Sequence, residues 1–216
     1  GINNISIKVD NSQNAFIPPL SIGYAAYGGI YRPLKLTFEN VIDFVKLTYS
    51  NSGIKISTPK VSAQNSSLIL ETSIKNSSLL KKEVSLVHQI FNKQNQLVKT
   101  LKKQVYLDAN QSTSIITETD IEKPELWSPE NPNLYTLESS LFVDGEKTST
   151  TINPLGFRWF SFDPKTGFSL NGSKYVLRGT NRHQDLAGKG DALSDEDHLK
   201  DMQMIKDILQ TDTFII

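Results

Sequence analysis

Residues 178–185, Arg-Gly-Thr-Asn-Arg-His-Gln-Asp, hold the densest group of side chains that could take part in chemistry. His183 can serve as a neutral hydrogen-bond donor or as a cation near pH 7. Asn181 and Asp185 supply an amide and a carboxylate, which suit a ligand rich in hydroxyl groups. We therefore treat His183, Asn181 and Asp185 as candidate substrate-binding residues. The alternative is a purely structural network of these residues. For Arg182 and Asp185 we expect mainly a role in supporting the loop.

A second group of ionisable residues, Asp191 with the acids at 195–197, raises the question of a metal site. These acids stand at a predicted helix start, where carboxylates favour the helix dipole and solvent. We therefore predict no metal site and no cofactor. His88 and His198 fall on a predicted strand and the predicted helix, and structural or solvated roles are expected for both. The absence of cysteine excludes disulfides and thiolate metal sites.

The elements that would position residues 178–185 alternate between strand and helix. Tyr175-Val176-Leu177 is typical of a buried strand. Ser194 and Asp197 have capping-box spacing, which predicts a helix start. An apolar stripe follows at helical spacing: Leu199, Met202, Ile205, Ile208 and Leu209. Because Thr213-Phe214-Ile215-Ile216 predicts a second strand, the order is that of one right-handed βαβ unit.

Residues 54–157 contain seven strand candidates with turn residues between them. The segments are roughly 55–62, 67–76, 82–91, 97–107, 112–119, 134–143 and 147–156. Asp144-Gly145 between the last two is a strong hairpin signal. The pattern predicts an immunoglobulin-like antiparallel β-sandwich. Trp127 stands in a stretch interrupted by Pro129 and Pro132, and we expect it to be buried where that excursion packs down.

Residues 1–49 also predict strands. Two runs of apolar residues alternate with polar ones: Ile5, Ile7 and Val9, then Leu34, Leu36 and Phe38. Gly28 and Gly29 indicate a tight turn, since glycine tolerates positive φ. Three or four strands make a poor domain alone, so this region is expected to end a larger sandwich.

The composition excludes several classes of function. The chain has 23 basic and 23 acidic residues, so nothing favours a nucleic acid or an anionic membrane as partner. No apolar run approaches the roughly 20 residues of a membrane span. Because the chain begins with Gly1 rather than Met, we take the native start to be missing. The compartment stays open, with a periplasmic or otherwise exported location slightly favoured over the cytoplasm.

Four blocks, in this order, resemble glycoside hydrolase family 2. They are Ile17-Pro18-Pro19 with Tyr27 through Pro33, Leu126 through Tyr135, Gly156 through Gly172, and residues 178–190 with the helix that follows. The resemblance implies that residues 1–49 end a sugar-binding jelly roll, 54–157 form the sandwich domain, and 158–216 begin a (β/α)8 barrel. It also implies structural roles for Trp127, Gly28, Gly29 and Arg32, and a substrate-contacting role for His183.

The resemblance further implies that the parent protein cleaves a terminal β-galactoside with retention. The family's acid/base and nucleophile are glutamates on later barrel strands, so we expect them beyond Ile216 and expect the fragment itself to be inactive. Gly23 stands where many β-galactosidases have Asp, which leaves β-glucuronidase and β-mannosidase open. A non-catalytic carbohydrate-binding or adhesion module is a further alternative, although it would not need residues 158–216. The expected partner is a β-glycoside, and the parent could form a homo-oligomer.

Overall fold

The computed structural model describes residues 4–10, 12, 14, 16, 29–34, 36, 38–46 and 52–209, with only the backbone of Leu209. Gly23, Gly28, the Ile17-Pro18-Pro19 block and the predicted strand at 213–216 lie outside the described residues. The chain divides into two units, one of residues 38–177 and one of residues 1–37 with 178–216. Among the described residues, no helix has the length and apolar character that a membrane crossing requires.

The larger unit is built on two antiparallel sheets. In the first sheet, β3 pairs with β6 along one edge and with β1 and β2 along the other. In the second sheet the strand order is β5-β4-β7-β8. The strands are β1 (Ile42–Phe44), β2 (Ile54–Ser57), β3 (Asn65–Asn76), β4 (Lys82–Phe91), β5 (Leu97–Leu107), β6 (Ser112–Glu122), β7 (Tyr135–Val143) and β8 (Glu146–Leu155).

The core lies between the two sheets because the long strands alternate buried and less buried residues, as a half-buried sheet requires. Along β3 every second residue is buried, and β4 repeats the pattern. Leu68 and Leu70 of β3, with Leu86 and Ile90 of β4, are fully buried in one cluster. The predicted immunoglobulin-like antiparallel sandwich is confirmed. The first predicted strand ends early, at Ser57, because Pro59 cannot donate a ladder hydrogen bond.

Strand β1 belongs to the sandwich, although the sequence analysis assigned these residues to the preceding region. It pairs with β3, and Ile42 and Phe44 are 5% and 3% exposed. The carboxylate of Asp43 accepts a hydrogen bond from Ser149 Oγ of β8 at 2.6 Å, which ties the two sheets together. Three residues are too few to show alternation in the sequence.

The strands predicted at 5–9 and 34–38 do not form among the described residues of those segments. Ile5 is 72% exposed and Phe38 is 87% exposed. Alternation marks a face that a partner could bury, but a strand also needs a neighbour to hydrogen-bond, and the described residues provide none here. The partial jelly roll therefore stays a prediction.

A small three-stranded antiparallel sheet follows the sandwich, with the order β11-β10-β9. Its strands are β9 (Phe160–Asp163), β10 (Gly167–Leu170) and β11 (Ser173–Lys174). Asn171 and Gly172 both have positive φ, 51° and 81°, which is the requirement of a type I′ hairpin turn. The predicted strand Tyr175-Val176-Leu177 is wrong: these residues lie outside any strand, and Val176 and Leu177 are exposed. Tyr175 N donates to Phe168 O of β10 at 3.0 Å, just past the end of β11, but residues 175–177 do not continue as a strand.

Helix α1 (Asp195–Leu209) confirms the predicted helix and its start. Ser194 N donates to the Asp197 carboxylate at 2.9 Å, and Asp197 N donates to Ser194 Oγ at 3.3 Å, which is the reciprocal capping box. Leu199 and Ile208 of the apolar stripe are 69% and 78% exposed. The start of a barrel therefore stays a prediction.

Candidate functional site

The candidate substrate-binding residues lie together on the loop that precedes α1. Asn181, His183 and Asp185 are all exposed. Their side chains form no hydrogen bond or ion pair with other residues that the structure describes. The loop therefore presents an amide, an imidazole and a carboxylate whose hydrogen-bonding capacity is available to a ligand.

Arg182 anchors this loop to helix α1. Its Nε donates to Asp201 Oδ2 at 2.8 Å, and Nη2 also binds this carboxylate. Nη1 lies 3.1 Å from His198 Nδ1, which must accept because guanidinium only donates. The Arg182 side chain is only 12% exposed. These contacts fix the backbone between Asn181 and His183 and agree with the supporting role expected of Arg182. Asp185, for which the same role was expected, forms no hydrogen bond or ion pair with a described residue.

Asp197 makes a second anchor at the start of α1. Lys189 Nζ lies 2.8 and 2.6 Å from its two carboxylate oxygens. The hydrogen bond from Lys189, followed by those from Ser194, lowers the pKa of Asp197 from 3.8 to about 2. Asp197 is thus engaged as a helix cap and an ion-pair partner. The described residues bring no three His, Cys, Asp or Glu side chains together in a metal-binding group.

Trp127 connects the end of the sandwich to the three-stranded sheet. Its backbone N donates to Phe157 O at 2.8 Å, and the Arg158 guanidinium lies 4.6 Å from its ring centroid. The ring is half-buried, whereas Phe157 is fully buried and packs edge-on against Tyr135 at 5.3 Å. The expectation of a buried Trp127 is corrected: Phe157 is the aromatic residue in the core, and the half-buried Trp127 ring lies against the Arg158 guanidinium.

Asn171 holds the β10–β11 turn against the backbone at Trp127. Its Nδ2 donates to Trp127 O at 2.9 Å, and its Oδ1 accepts from Trp159 N at 3.1 Å. Tyr175 Oη adds a hydrogen bond to Glu130 Oε1 at 2.9 Å. The Asn-Gly pair signalled a turn in the sequence, but nothing there indicated that the Asn side chain also binds residue 127.

Two further structural candidates lie near the start of the chain. Gly29 has a φ of +103°, in the region that favours glycine, as predicted for the tight turn. Arg32 is exposed, and its guanidinium lies 5.0 Å from the Tyr31 ring centroid. Arg32 therefore stacks on its neighbour Tyr31.

His88 is the buried titratable group of the sandwich core. It is 0% exposed, its Nδ1 lies 2.7 Å from Ser139 Oγ, and its Nε2 lies 3.4 Å from Thr72 Oγ1 of the facing sheet. Burial lowers the pKa of His88 from 6.5 to about 4, because the cation would lose its hydration. The imidazole is therefore neutral near pH 7 and bridges the two sheets, in keeping with the expected structural role.

The family model for "Glycosyl hydrolases family 2" matches residues 52–158, which cover the sandwich. A putative beta-glucuronidase of Formosa agariphila is 38% identical over 96% of the chain and 24% of its own length. A beta-galactosidase of Thermoanaerobacterium thermosulfurigenes is 30% identical over 96% of the chain and 28% of its own length.

Solved structures give the same result. The crystal structure of a Bacteroides uniformis beta-glucuronidase has a TM-score of 0.82 and 36% identity, over 92% of this chain and 24% of that one. The chain thus spans about a quarter of the length of these relatives. The ordered blocks, the sandwich and the family match agree, and the chain belongs to glycoside hydrolase family 2.

Proposed function

We propose that these residues are a segment of a longer, retaining β-glycoside hydrolase that acts on β-glucuronides. The observation that carries the proposal is the 38% identity over 96% of the chain with a putative beta-glucuronidase. A β-galactoside, the substrate favoured in the sequence analysis, is the second candidate. It is supported by the relative named beta-galactosidase at 30% identity, although Gly23 departs from the Asp expected for that specificity.

In this proposal the loop before α1 contributes to the sugar site. Asn181, His183 and Asp185 have free hydrogen-bonding groups, and the Arg182–Asp201 ion pair holds the backbone between the first two. A donor held by a rigid neighbour is preorganised, so it loses little entropy when it binds a substrate hydroxyl. The bond-breaking groups would be two carboxyls about 5–5.5 Å apart, as retention requires. We propose that other parts of the longer protein supply them.

We also propose a role for each segment of the chain. The sandwich, residues 54–157 with β1 added, is a scaffold built around one mainly apolar core. Residues 158–216 enter the catalytic domain, and the residues before β1 end a sugar-binding one. The sandwich holds β9–β11 through Trp127 and Asn171, and so sets where residues 158–175 run.

A substrate panel tests this function. The longer protein should be assayed with the 4-nitrophenyl β-glycosides of glucuronic acid, galactose and mannose, beside the 216-residue chain as control. We expect the highest kcat/KM for the glucuronide and no turnover by the control. A higher kcat/KM for the galactoside would favour the second candidate. Binding of a glycoside without any turnover would support the non-catalytic module instead.

A further inference from the structure

A groove of about 350 Å³ lies on the outer face of the second sheet, away from the core. Its floor is β4, where Ser85 stands opposite Gln104 of β5 and Phe142 of β7. Lys102 and Glu83 flank this row. The groove therefore has an aromatic ring on one side and hydrogen-bonding side chains on the other, in a volume typical of small-ligand sites.

The polar side chains of the groove have unused hydrogen-bonding capacity. Glu83, Lys102 and Gln104 form no hydrogen bond or ion pair with any other residue in the described part of the chain. Ser85 Oγ is buried and without a hydrogen-bond partner there. Asp144, which also lines the groove, is the exception and pairs with Lys82 at 3.4 Å. Nearby, Lys147 pairs with Glu138 at 3.1 Å. The groove therefore presents side chains whose hydrogen-bonding capacity is open to a ligand.

Phe142 is placed on the outer face by the register of β7. Its neighbours Leu141 and Val143 are buried, while Phe142 itself is only half-buried. The pairing of β7 with β8 shifts between Leu141 and Phe142, a bulge of the kind that redirects a side chain. An aromatic ring held on a solvated sheet face offers a flat apolar surface for a ligand. Lys147 Nζ lies over this ring, 5.8 Å from its centroid, so the ring has one other face on which a ligand could stack.

We propose that this groove binds one pyranose ring of a neutral saccharide, as an accessory site separate from bond cleavage. A pyranose has an apolar face of C–H groups that would stack on Phe142, and a rim of hydroxyls. Lys102 would donate to this rim, Glu83 would accept from it, and Gln104 could do both. The charges of Glu83 and Lys102 cancel and Asp144 is neutralised by Lys82, so the charge balance fits a neutral sugar better than a uronate.

Saturation-transfer NMR on the 216-residue chain tests the proposal with methyl β-D-glucopyranoside, methyl β-D-galactopyranoside and methyl β-D-glucuronide. A ligand of this size should bind a shallow groove with a Kd on the order of 1 mM. Phe142→Leu keeps an apolar side chain but removes the ring, and should weaken binding of the neutral glycosides about tenfold. Lys102→Gln and Gln104→Ala alter solvent-facing side chains and should each weaken it several-fold without affecting folding.

Matched substitutions outside the groove provide the controls. Phe160→Leu changes an exposed ring on β9, and Lys55→Gln changes an exposed lysine on β2; both should leave binding unaltered. The proposal is overturned if no neutral glycoside binds, if binding survives Phe142→Leu, or if Phe160→Leu is the variant that abolishes it. Tighter binding of the glucuronide than of both neutral glycosides would also overturn it.

Discussion

Acidification should destabilise the sandwich through His88. The ordinary pKa of 6.5 applies in the unfolded chain, and burial lowers the pKa to about 4 in the folded one. Because the folded pKa is depressed, the unfolded state binds the proton more tightly, and stability falls as pH drops. The contribution is fully present above about pH 6.5 and is lost progressively down to about pH 4.

The size of the effect follows from the pKa difference. Each unit corresponds to about 1.4 kcal/mol, so the free energy of unfolding should fall by about 2 kcal/mol at pH 5 and about 3 kcal/mol at pH 4. His88 is 0% exposed, so solvent screening does not reduce this value. Asp197, whose pKa is about 2, titrates mainly below this window.

Urea unfolding followed by tryptophan fluorescence measures the effect. The two tryptophans, Trp127 and Trp159, both lie in the unit that contains the sandwich, so the signal reports on that unit. His88→Leu should lower stability at pH 7, since it leaves the Thr72 and Ser139 hydroxyls without the hydrogen-bond partner that His88 provides. It should also flatten the pH dependence of stability between pH 6.5 and 4. His183→Gln, at an exposed histidine, should retain the full slope. A His88→Leu protein with an unchanged slope would refute the reasoning.

Three further outcomes are expected of the folded chain. Asn171→Gly keeps a residue that tolerates positive φ but loses the two side-chain hydrogen bonds, and should cost about 1–2 kcal/mol of unfolding free energy. Asn171→Ala should cost about 1 kcal/mol more, because alanine tolerates positive φ poorly. Equal losses for the two variants in urea melts would show that the turn conformation is unimportant. Phe157→Ala should cost about 3–5 kcal/mol and Trp127→Ala about half as much, because only Phe157 is fully buried; circular dichroism melts measure both, and the reverse order would contradict the packing. The double variant Phe160→Ser, Phe162→Ser removes rings that are 59% and 71% exposed and should reduce self-association in sedimentation velocity. Unchanged sedimentation would show that these two rings do not cause the self-association.

The sandwich strands were predictable because each long strand has one face on the core. β3 and β4 carry this alternation over 12 and 10 residues, and turn residues mark their ends. β1 was missed because three residues cannot show a period. The strand at Tyr175-Val176-Leu177 was predicted wrongly. An apolar run indicates that burial of these side chains is favourable, but it does not identify a neighbouring strand that would pair with them.

The candidate site was predictable only in part. The residue types at 181–185 indicated hydrogen bonding to a ligand, and the capping box of α1 followed from local spacing. The Arg182–Asp201 pair spans 19 residues, and the Asn171–Trp127 hydrogen bond spans 44. Contacts between residues this far apart in the sequence depend on how the elements pack, so no local sequence pattern predicts them.

The most direct test of the account is the kinetics of His183→Phe in the longer protein with 4-nitrophenyl β-D-glucuronide. Phenylalanine keeps the bulk of the ring and removes its donor. We expect kcat to fall by about 10²-fold, the scale of losing one preorganised donor, with little change in melting temperature. Lys200→Gln, at an exposed position of α1, should retain activity. An unchanged kcat in His183→Phe would contradict the proposed role of the loop in glycoside hydrolysis.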